Sequence, residues 1–144
     1  MRNGRLAIFG ADDHGRVVAE IALTLRWEAV FFYDGRFSKN TLVDSHSVIS
    51  YLKNLVCDGE SYQGFRVAIG ANNIRFALVE KLKALGECLP HIIHPSAIIS
   101  GLVLLDYGVC MLPNVIVNAG NKIGGDSVIG AGSVVIKNVP DDVT

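Results

Sequence analysis

Between Ile99 and Val135 an apolar side chain recurs at every sixth position without interruption. The series is Ile99, Leu105, Met111, Val117, Ile123, Ile129 and Val135. Turn formers follow three places after most of these residues, at Gly108, Asn114, Gly120, Asp126, Gly132 and Asn138. A period of six matches neither an α-helix nor an alternating strand and is typical of a parallel β-helix. The apolar series is therefore predicted to point into the coil. Gly, Asn and Asp are predicted at the corners because they tolerate left-handed backbone angles.

The composition predicts a packed protein without a nucleic-acid or membrane-binding surface. Half of the 144 residues are hydrophobic, and the formal net charge at pH 7 is −1, with no basic block. The widely spaced Cys57, Cys88 and Cys110 predict reduced thiols and no metal site. No apolar run approaches the length of a membrane span, and the N-terminus lacks the layout of a signal peptide. A cytoplasmic protein without membrane insertion is expected.

The first third of the chain predicts a βαβ unit. Residues 6–9 form a short apolar run, and residues 10–15 form a glycine-containing loop before a helix that extends to about Leu25. A second strand at residues 29–33 ends at Asp34. In such a Rossmann-like unit the strand ends and the first helix N-terminus face one crevice that favours a phosphate. The loop lacks the middle glycine of the dinucleotide fingerprint.

Several residues at this crevice have two interpretations. Asp12 and Asp13 either cap the following helix or place negative charge where a phosphate would lie. His14 is either a functional group or a solvated loop histidine. Asp34 either holds a ribose hydroxyl or begins a turn.

Residues 36–64 carry little pattern because Ser, Asn, Asp and Gly interrupt them. One short helix is predicted around residues 48–55, and His46 is expected at the surface.

A further strand, loop and helix follow. Residues 65–69 predict a third strand that leads into Gly70. The apolar stripe of the helix is predicted at Ile74, Leu78, Leu82 and Leu85. Asn72 or Asn73 is the predicted N-cap, and Gly86 is the predicted C-terminal stop. Alternatively, Asn72 and Asn73 bind a second part of a ligand.

A proline-containing linker joins this part to the repeat. Pro90 and Pro95 forbid a helix through it. His91 and His94 are therefore not placed on one helical face, and no acid or cysteine completes a ligand set, so both are predicted to be structural. The predicted domains are a Rossmann-like domain at residues 1–90 and a hexapeptide-repeat β-helix at residues 91–144.

Four segments carry a resemblance to a known family: LAIFGADDHGRVVAEIA, VAIGANNIR, LPHIIHPSAIIS and VIGAGSVVIKNVPDDVT. With these the chain resembles sugar acetyltransferases of the sialic acid O-acetyltransferase and bacillosamine N-acetyltransferase kind, a branch of the left-handed β-helix hexapeptide transferases. The resemblance implies acetyl transfer from acetyl-coenzyme A to an amino or hydroxyl group of a nucleotide-activated sugar, in cell-surface polysaccharide biosynthesis. It also implies that the coil is left-handed and that acetyl-coenzyme A lies between neighbours of a homotrimer, without a metal.

The resemblance also implies site residues. The nucleotide-linked amino sugar is assigned to Gly10, Ala11, His14, Gly15, Asp34, Gly70, Asn72, Asn73 and Arg75. The pantetheine arm of acetyl-coenzyme A is assigned to Gly130, Ala131, Gly132 and Ser133. Asp12 and Asp13 depart from the family, which has a small residue and a glycine there.

A second departure concerns the catalytic base. Family members carry a histidine on a mid-coil turn as general base, whereas residues 97–144 contain no histidine. Three interpretations stay open. The first is an acetyltransferase that relies on positioning, with His14 as base. The second is a catalytically impaired nucleotide-sugar-binding or trimerisation module. The third is that the sequence omits coils of the biological protein. Under each of these three interpretations we expect an oligomer, because a short coil buries too little core to be stable alone.

Overall fold

A computed structural model describes residues 3–38, 41–49 and 62–144. The chain divides into two compact units, Met1–Cys88 and Leu89–Thr144. Neither of the two helices in the described ranges has the length and apolar character that crossing a membrane requires.

The first unit is built around a mostly parallel sheet. Its elements are β1 (Arg5–Phe9), α1 (Asp13–Thr24), β2 (Ala29–Tyr33), β3 (Leu42–Val43), β4 (His46–Ile49), β5 (Gly64–Val67) and α2 (Asn72–Ala84). Within the described residues the strand order is β3-β4-β2-β1-β5, in which only β3 runs antiparallel to its neighbour. Leu6 of β1 pairs with Val30 of β2 and with Gly64 of β5. The predicted Rossmann-like βαβ unit is confirmed, and the carboxyl ends of β1, β2 and β5 lie at one edge.

Burial explains why the first strands are readable from sequence. β1 has a paired neighbour on each side, and its residues Leu6, Ala7, Ile8 and Phe9 are at most 1% exposed. A parallel strand covered on both faces is expected to be continuously apolar, as this one is. Helix α1 adds Val18, Ile21 and Ala22 to the same core.

Helix α2 has the predicted extent but only part of the predicted face: Leu82 is buried and Leu78 half-buried, as predicted. Its buried residues are Arg75, Val79 and Leu82, whereas Ile74 and Leu85 are about half exposed. The apolar pattern misplaces the stripe because a buried arginine takes the first inward position.

The two ends of α2 differ in how well the sequence predicts them. The predicted asparagine cap is wrong: Ala71 is the N-cap, no side chain caps this end, and Asn72 and Asn73 form the first turn. The predicted stop is confirmed. Gly86 has φ of 75°, and its N–H donates to the Lys83 carbonyl while the Glu87 N–H donates to the Leu82 carbonyl. This is the double hydrogen bond of a Schellman motif.

The helix predicted around residues 48–55 is wrong where the structure describes it. Val48 and Ile49 belong to β4 and pair with Phe32 and Tyr33, and residues 50–55 lie outside the described ranges. His46 is only partly at the surface: it is half-buried, with its ring edge-on to Phe32 at a centroid distance of 5.9 Å. A strand that depends on a distant partner leaves little local signal.

The second unit is a short left-handed parallel β-helix. Its two-residue strands are β6 (Ile92–Ile93), β7 (Ile98–Ile99), β8 (Leu104–Leu105), β9 (Cys110–Met111), β10 (Ile116–Val117), β11 (Lys122–Ile123), β12 (Val128–Ile129) and β13 (Val134–Val135). They form three faces, ordered β13-β10-β7, β11-β8 and β12-β9-β6. Ile98 pairs with Ile116 and Ile116 with Val134, so one coil takes 18 residues, or three hexads.

The six-residue series lines the interior of the coil, as predicted. Met111, Val117, Ile123 and Ile129 are buried in its core, and the remaining members are partly buried against them. A second inward row stands two places earlier in each hexad and includes Val109, which is 0% exposed. Two side chains per hexad therefore fill the coil.

Most of the predicted corners have the expected backbone. Positive φ angles occur at Gly108, Asn114, Gly120, Asp126 and Gly132. Asn138 is an exception, and its side-chain oxygen instead accepts the N–H of Lys122 at 2.8 Å. The reason is a change of register: Ile123 bridges Val139, 16 residues later, so the last coil is two residues short. The corner at residue 138 is shortened, and the next left-handed corner is Asp142, where φ is 58°, 16 residues after the Asp126 corner.

Candidate functional site

A crevice of about 430 Å³ opens at the carboxyl ends of β1, β2 and β5. Its lining residues are Gly10, Asp12, Tyr33, Asp34, Gly35, Arg36, Ile69, Gly70, Ala71 and Ile74. Three of the residues predicted from the family resemblance, Gly10, Asp34 and Gly70, are among them. The crevice lies where ligands bind in open parallel sheets.

The glycine loop is shaped by close backbone contacts. Gly10 has φ of 105°, and its N–H donates to the Tyr33 carbonyl at 2.9 Å. A Cβ atom on Gly10 would lie 2.6 Å from the Ala68 carbonyl oxygen, and one on Gly15 would lie 2.0 Å from the Gly10 carbonyl oxygen. Glycine at both positions lets α1 pack directly on the loop. Gly15 therefore shapes the crevice from beneath and is not part of its lining.

Asp34 ties the loop after β1 to the turn after β2. Its buried carboxylate accepts the Ala11 N–H at 3.0 Å and the Arg36 backbone N–H at 3.0 Å. The Arg36 guanidinium adds two hydrogen bonds, from Nε at 3.0 Å and from Nη2 at 2.6 Å. The Arg36 side chain, helped by the two backbone donors, lowers the pKa of Asp34 from 3.8 to about 2 against the opposing effect of burial. Asp34 thus begins a turn, which is one of the two interpretations from sequence.

The Asp34 carboxylate is expected to make stability depend on acid pH. Because its pKa is lower in the folded protein than the ordinary 3.8, its contribution is complete above about pH 4 and is lost as the pH falls towards 2. The shift corresponds to about 2 kcal/mol of unfolding free energy. Urea unfolding between pH 2 and 6 should show this loss in the wild type and not in Asp34→Asn. The exposed Asp13→Asn serves as control, and equal slopes for all three proteins would contradict the assignment.

Arg36 also contacts Asp12. Nη2 of Arg36 donates to both Asp34 and Asp12, so one guanidinium joins two carboxylates at the crevice mouth. The capping role predicted for Asp12 is wrong in part, since Asp12 occupies the N-cap position of α1 but makes no side-chain cap hydrogen bond. Its carboxylate is turned towards Arg36 instead. Arg36 is not among the residues predicted from the sequence, although its position two residues after Asp34 at a strand end is a usable signal.

His14 lies among positive charges. It is the second residue of α1, it is half-buried, and it is close to the buried Arg66 and Arg75. Burial, followed by the charges of these two arginines, lowers the pKa of His14 below its ordinary value. The imidazole is therefore neutral at neutral pH. Neither His14 nor Arg75 lines the crevice described above. Arg66, a charged residue inside the apolar β5, was missed from sequence.

Two further groups of predicted residues lie apart from the crevice lining. Asn72 and Asn73 are exposed on the first turn of α2, and Ala11 contributes through its backbone N–H to Asp34. In the second unit, residues 130–133 form the corner between β12 and β13, with φ of 72° at Gly132. The Gly132 N–H donates to the Pro113 carbonyl at 2.9 Å, and residues 130–132 present an exposed, small-residue surface.

The linker histidines bond to the coil through Nδ1. His91 accepts the Val109 N–H at 3.2 Å, and burial lowers the pKa of His91. His94 accepts the Ser96 N–H at 3.0 Å. Across the described ranges, no three His, Cys, Asp or Glu side chains come together in a way that would hold a metal.

A mostly parallel α/β unit with a crevice at the carboxyl ends of its strands, joined to a left-handed β-helix, is the architecture of hexapeptide-repeat sugar acetyltransferases. Residues 5–82, more than half of the chain, match the family model described as the PglD N-terminal domain. The chain belongs to this family. The resemblance stated from sequence is thereby confirmed.

Solved structures match both units. The acetyltransferase domain of PglB from Neisseria gonorrhoeae FA1090 is 30% identical with a TM-score of 0.79, covering 96% of this chain and 65% of that chain. The same domain in complex with acetyl coenzyme A is aligned at 28% identity and a TM-score of 0.80, covering 99% and 66%. PerB from Caulobacter crescentus, in complex with CoA and GDP-perosamine, is 29% identical with a TM-score of 0.75, covering 92% and 62%. The chain thus spans slightly less than two thirds of the length of these relatives.

Proposed function

We propose that this chain transfers the acetyl group of acetyl-coenzyme A to an amino or hydroxyl group of a nucleotide-linked sugar. The observation that carries the proposal is that relatives matching both units hold the two substrates. The PglB domain is in complex with acetyl coenzyme A, and PerB is in complex with CoA and GDP-perosamine. A reducing cytoplasm suits Cys88 and Cys110, whose sulfur atoms are both present as thiols.

The crevice of the first unit supports the nucleotide-sugar half of the proposal. It combines a tight glycine loop, the N-terminus of α1 and the Arg36 guanidinium, three features that favour a phosphate, whereas the negative charges of Asp12 and Asp34 oppose one. We assign the sugar nucleotide to this crevice, with Gly10 and Gly70 in direct contact. In this assignment Ala11, Gly15 and Asp34 shape the crevice.

The corner at residues 130–133 supports the acetyl-coenzyme A half. Small residues at an exposed corner let an extended pantetheine arm approach the backbone closely. We assign the arm to Gly130, Ala131, Gly132 and Ser133. No metal takes part in the proposed reaction.

The reaction forms a bond from the substrate nitrogen or oxygen to the acetyl carbon and breaks the carbon–sulfur bond of the thioester. The substrate loses one proton, and the thiolate of coenzyme A gains one. Holding the two substrates together supplies much of the acceleration. His14 does not line the crevice of its own chain, so it is the candidate proton acceptor only when a neighbouring chain supplies it; burial and two arginines keep its imidazole neutral, as this role requires.

We also propose that the coil assembles as a homotrimer. Ile98, Ile116 and Val134 are paired neighbours on one face of the coil and point outwards as an exposed apolar row. Contiguous exposed apolar surface of this kind marks an interface. Ile116→Lys should reduce the mass measured by analytical ultracentrifugation from trimer to monomer. Lys122→Ala, on another face, should leave it unchanged, and a monomeric wild type would contradict the proposal.

Calorimetry tests the proposed function. UDP, GDP and their amino sugars are titrated first, and acetyl-coenzyme A second. We expect one nucleotide and acetyl-coenzyme A to bind, with Ala131→Trp losing only the coenzyme. Nucleotide binding without coenzyme binding would instead indicate the binding module that the missing coil histidine suggested. Binding of neither would overturn the proposal.

A further inference from the structure

Three charged side chains share one set of contacts at the mouth of the crevice. Nη2 of Arg36 donates to Asp34 and to Asp12, and Nε of Arg36 donates to Asp34. The two carboxylates and the guanidinium together carry a formal charge of −1. This local charge is unfavourable for a diphosphate, and the guanidinium is open to a phosphate only where one carboxylate gives up its contact with it.

The two carboxylates are not equivalent. The Asp34 side chain is 6% exposed, and each of its oxygens accepts one backbone N–H and one Arg36 donor. The Asp12 side chain is 51% exposed and makes a single contact with the guanidinium. Asp34 therefore fixes Arg36 in place, whereas Asp12 is the partner that another anion can replace at low cost.

The position of Asp12 strengthens this distinction. It is the N-cap residue of α1, but its carboxylate makes no cap hydrogen bond and is directed to Arg36. An anion at this helix terminus would meet the helix dipole and the Arg36 guanidinium together.

We propose that Asp12 sets the phosphate affinity of the crevice, because its carboxylate occupies the position on Arg36 for which the ligand phosphate competes. Binding then exchanges one anion for another on a guanidinium that Asp34 holds ready. Of these three side chains, only Arg36 contacts the phosphate. Asp34 and Asp12 act through Arg36. This inference rests on the proposed function for the identity of the ligand.

The first test compares affinities for inorganic pyrophosphate and for UDP and GDP at low salt. Asp12→Asn should bind pyrophosphate and the preferred nucleotide about three- to tenfold more tightly than wild type, the range expected for removing one exposed charge next to the phosphate. The gain should shrink as salt is raised. Asp13→Asn is the matched control, because Asp13 is the next residue, is exposed, and forms its ion pair with Arg16 at 3.6 Å. An equal gain in Asp13→Asn, or none in Asp12→Asn, would overturn the proposal.

The second test asks whether Asp12 acts through Arg36. Arg36→Gln should weaken phosphate binding, and adding Asp12→Asn to it should bring no further gain. If Asp12→Asn raised the phosphate affinity equally in wild type and in Arg36→Gln, Asp12 would act by simple charge repulsion. That result would overturn the exchange.

The two probes separate this inference from the proposed function. Tighter pyrophosphate binding by Asp12→Asn, without nucleotide binding by any variant, would support the exchange and contradict the nucleotide-sugar assignment. Nucleotide binding that is equal in wild type and Asp12→Asn would support the nucleotide-sugar assignment and contradict the exchange. If no variant binds either probe, both fail.

Discussion

Replacing Ile123 by Asp is expected to unfold the coil. Ile123 is 0% exposed, belongs to the inward series and packs in the core of the second unit. The substitution removes a buried aliphatic side chain, which costs about 2–5 kcal/mol, and adds an unpaired buried carboxylate. A coil of only eight two-residue strands has few other contacts to offset that loss. Amide hydrogen exchange of the coil should therefore lose its protection.

The control for this prediction is an outward residue of the same face. Leu104 stands on β8, which pairs with β11, and it is 69% exposed. Leu104→Asp should change the unfolding free energy by about 0.5 kcal/mol or less. If Ile123→Asp kept native protection, or if Leu104→Asp were equally harmful, the assigned inward and outward positions would be wrong.

Replacing Gly15 by Ala is expected to destabilise the first unit and to abolish nucleotide binding. In a typical helix this substitution stabilises by about 1 kcal/mol. Here the new Cβ would lie 2.0 Å from the Gly10 carbonyl oxygen, so α1 has to move away from the loop that shapes the crevice. Overpacking of this kind costs about 1–3 kcal/mol. Thermal unfolding and UDP or GDP titration measure the two effects.

Gly101→Ala is the matched control because a Cβ there meets no atom within 4 Å. It should unfold like the wild type. A Gly15→Ala variant that is as stable as the wild type and binds nucleotide normally would contradict the close packing of α1 on the glycine loop.

The coil was predictable because its period is a property of the backbone. Each hexad places Met111, Val117 or Ile123 inside for the same geometric reason, so the series is readable without knowledge of the partner strands. The left-handed corner predicted at Asn138 was wrong because the last coil is two residues short. That register depends on where Val139 pairs.

The first unit shows the same division between local and distant causes. β1 was predictable from its continuous apolar run. β4 was not, because it is stabilised by pairing with β2, a partner that is distant in sequence. The buried face of α2 was misplaced because Arg75 points inwards, against the usual behaviour of arginine.

The candidate site was predictable only to the level of topology. Parallel strands bring Gly10, Asp34 and Gly70 to one edge, which sequence patterns indicate. The contact of Arg36 with Asp12 spans 24 residues and depends on the direction of a long side chain. No local pattern encodes it.

The most direct test of the central claim is thiol release from acetyl-coenzyme A by the wild-type chain in the presence of UDP- and GDP-linked amino sugars. We predict release that depends on one sugar nucleotide, with mass spectrometry showing one added acetyl group per sugar. Gly15→Ala should remove this release. Thiol release that is the same with and without every sugar nucleotide, in a protein that binds both substrates, would contradict acetyl transfer.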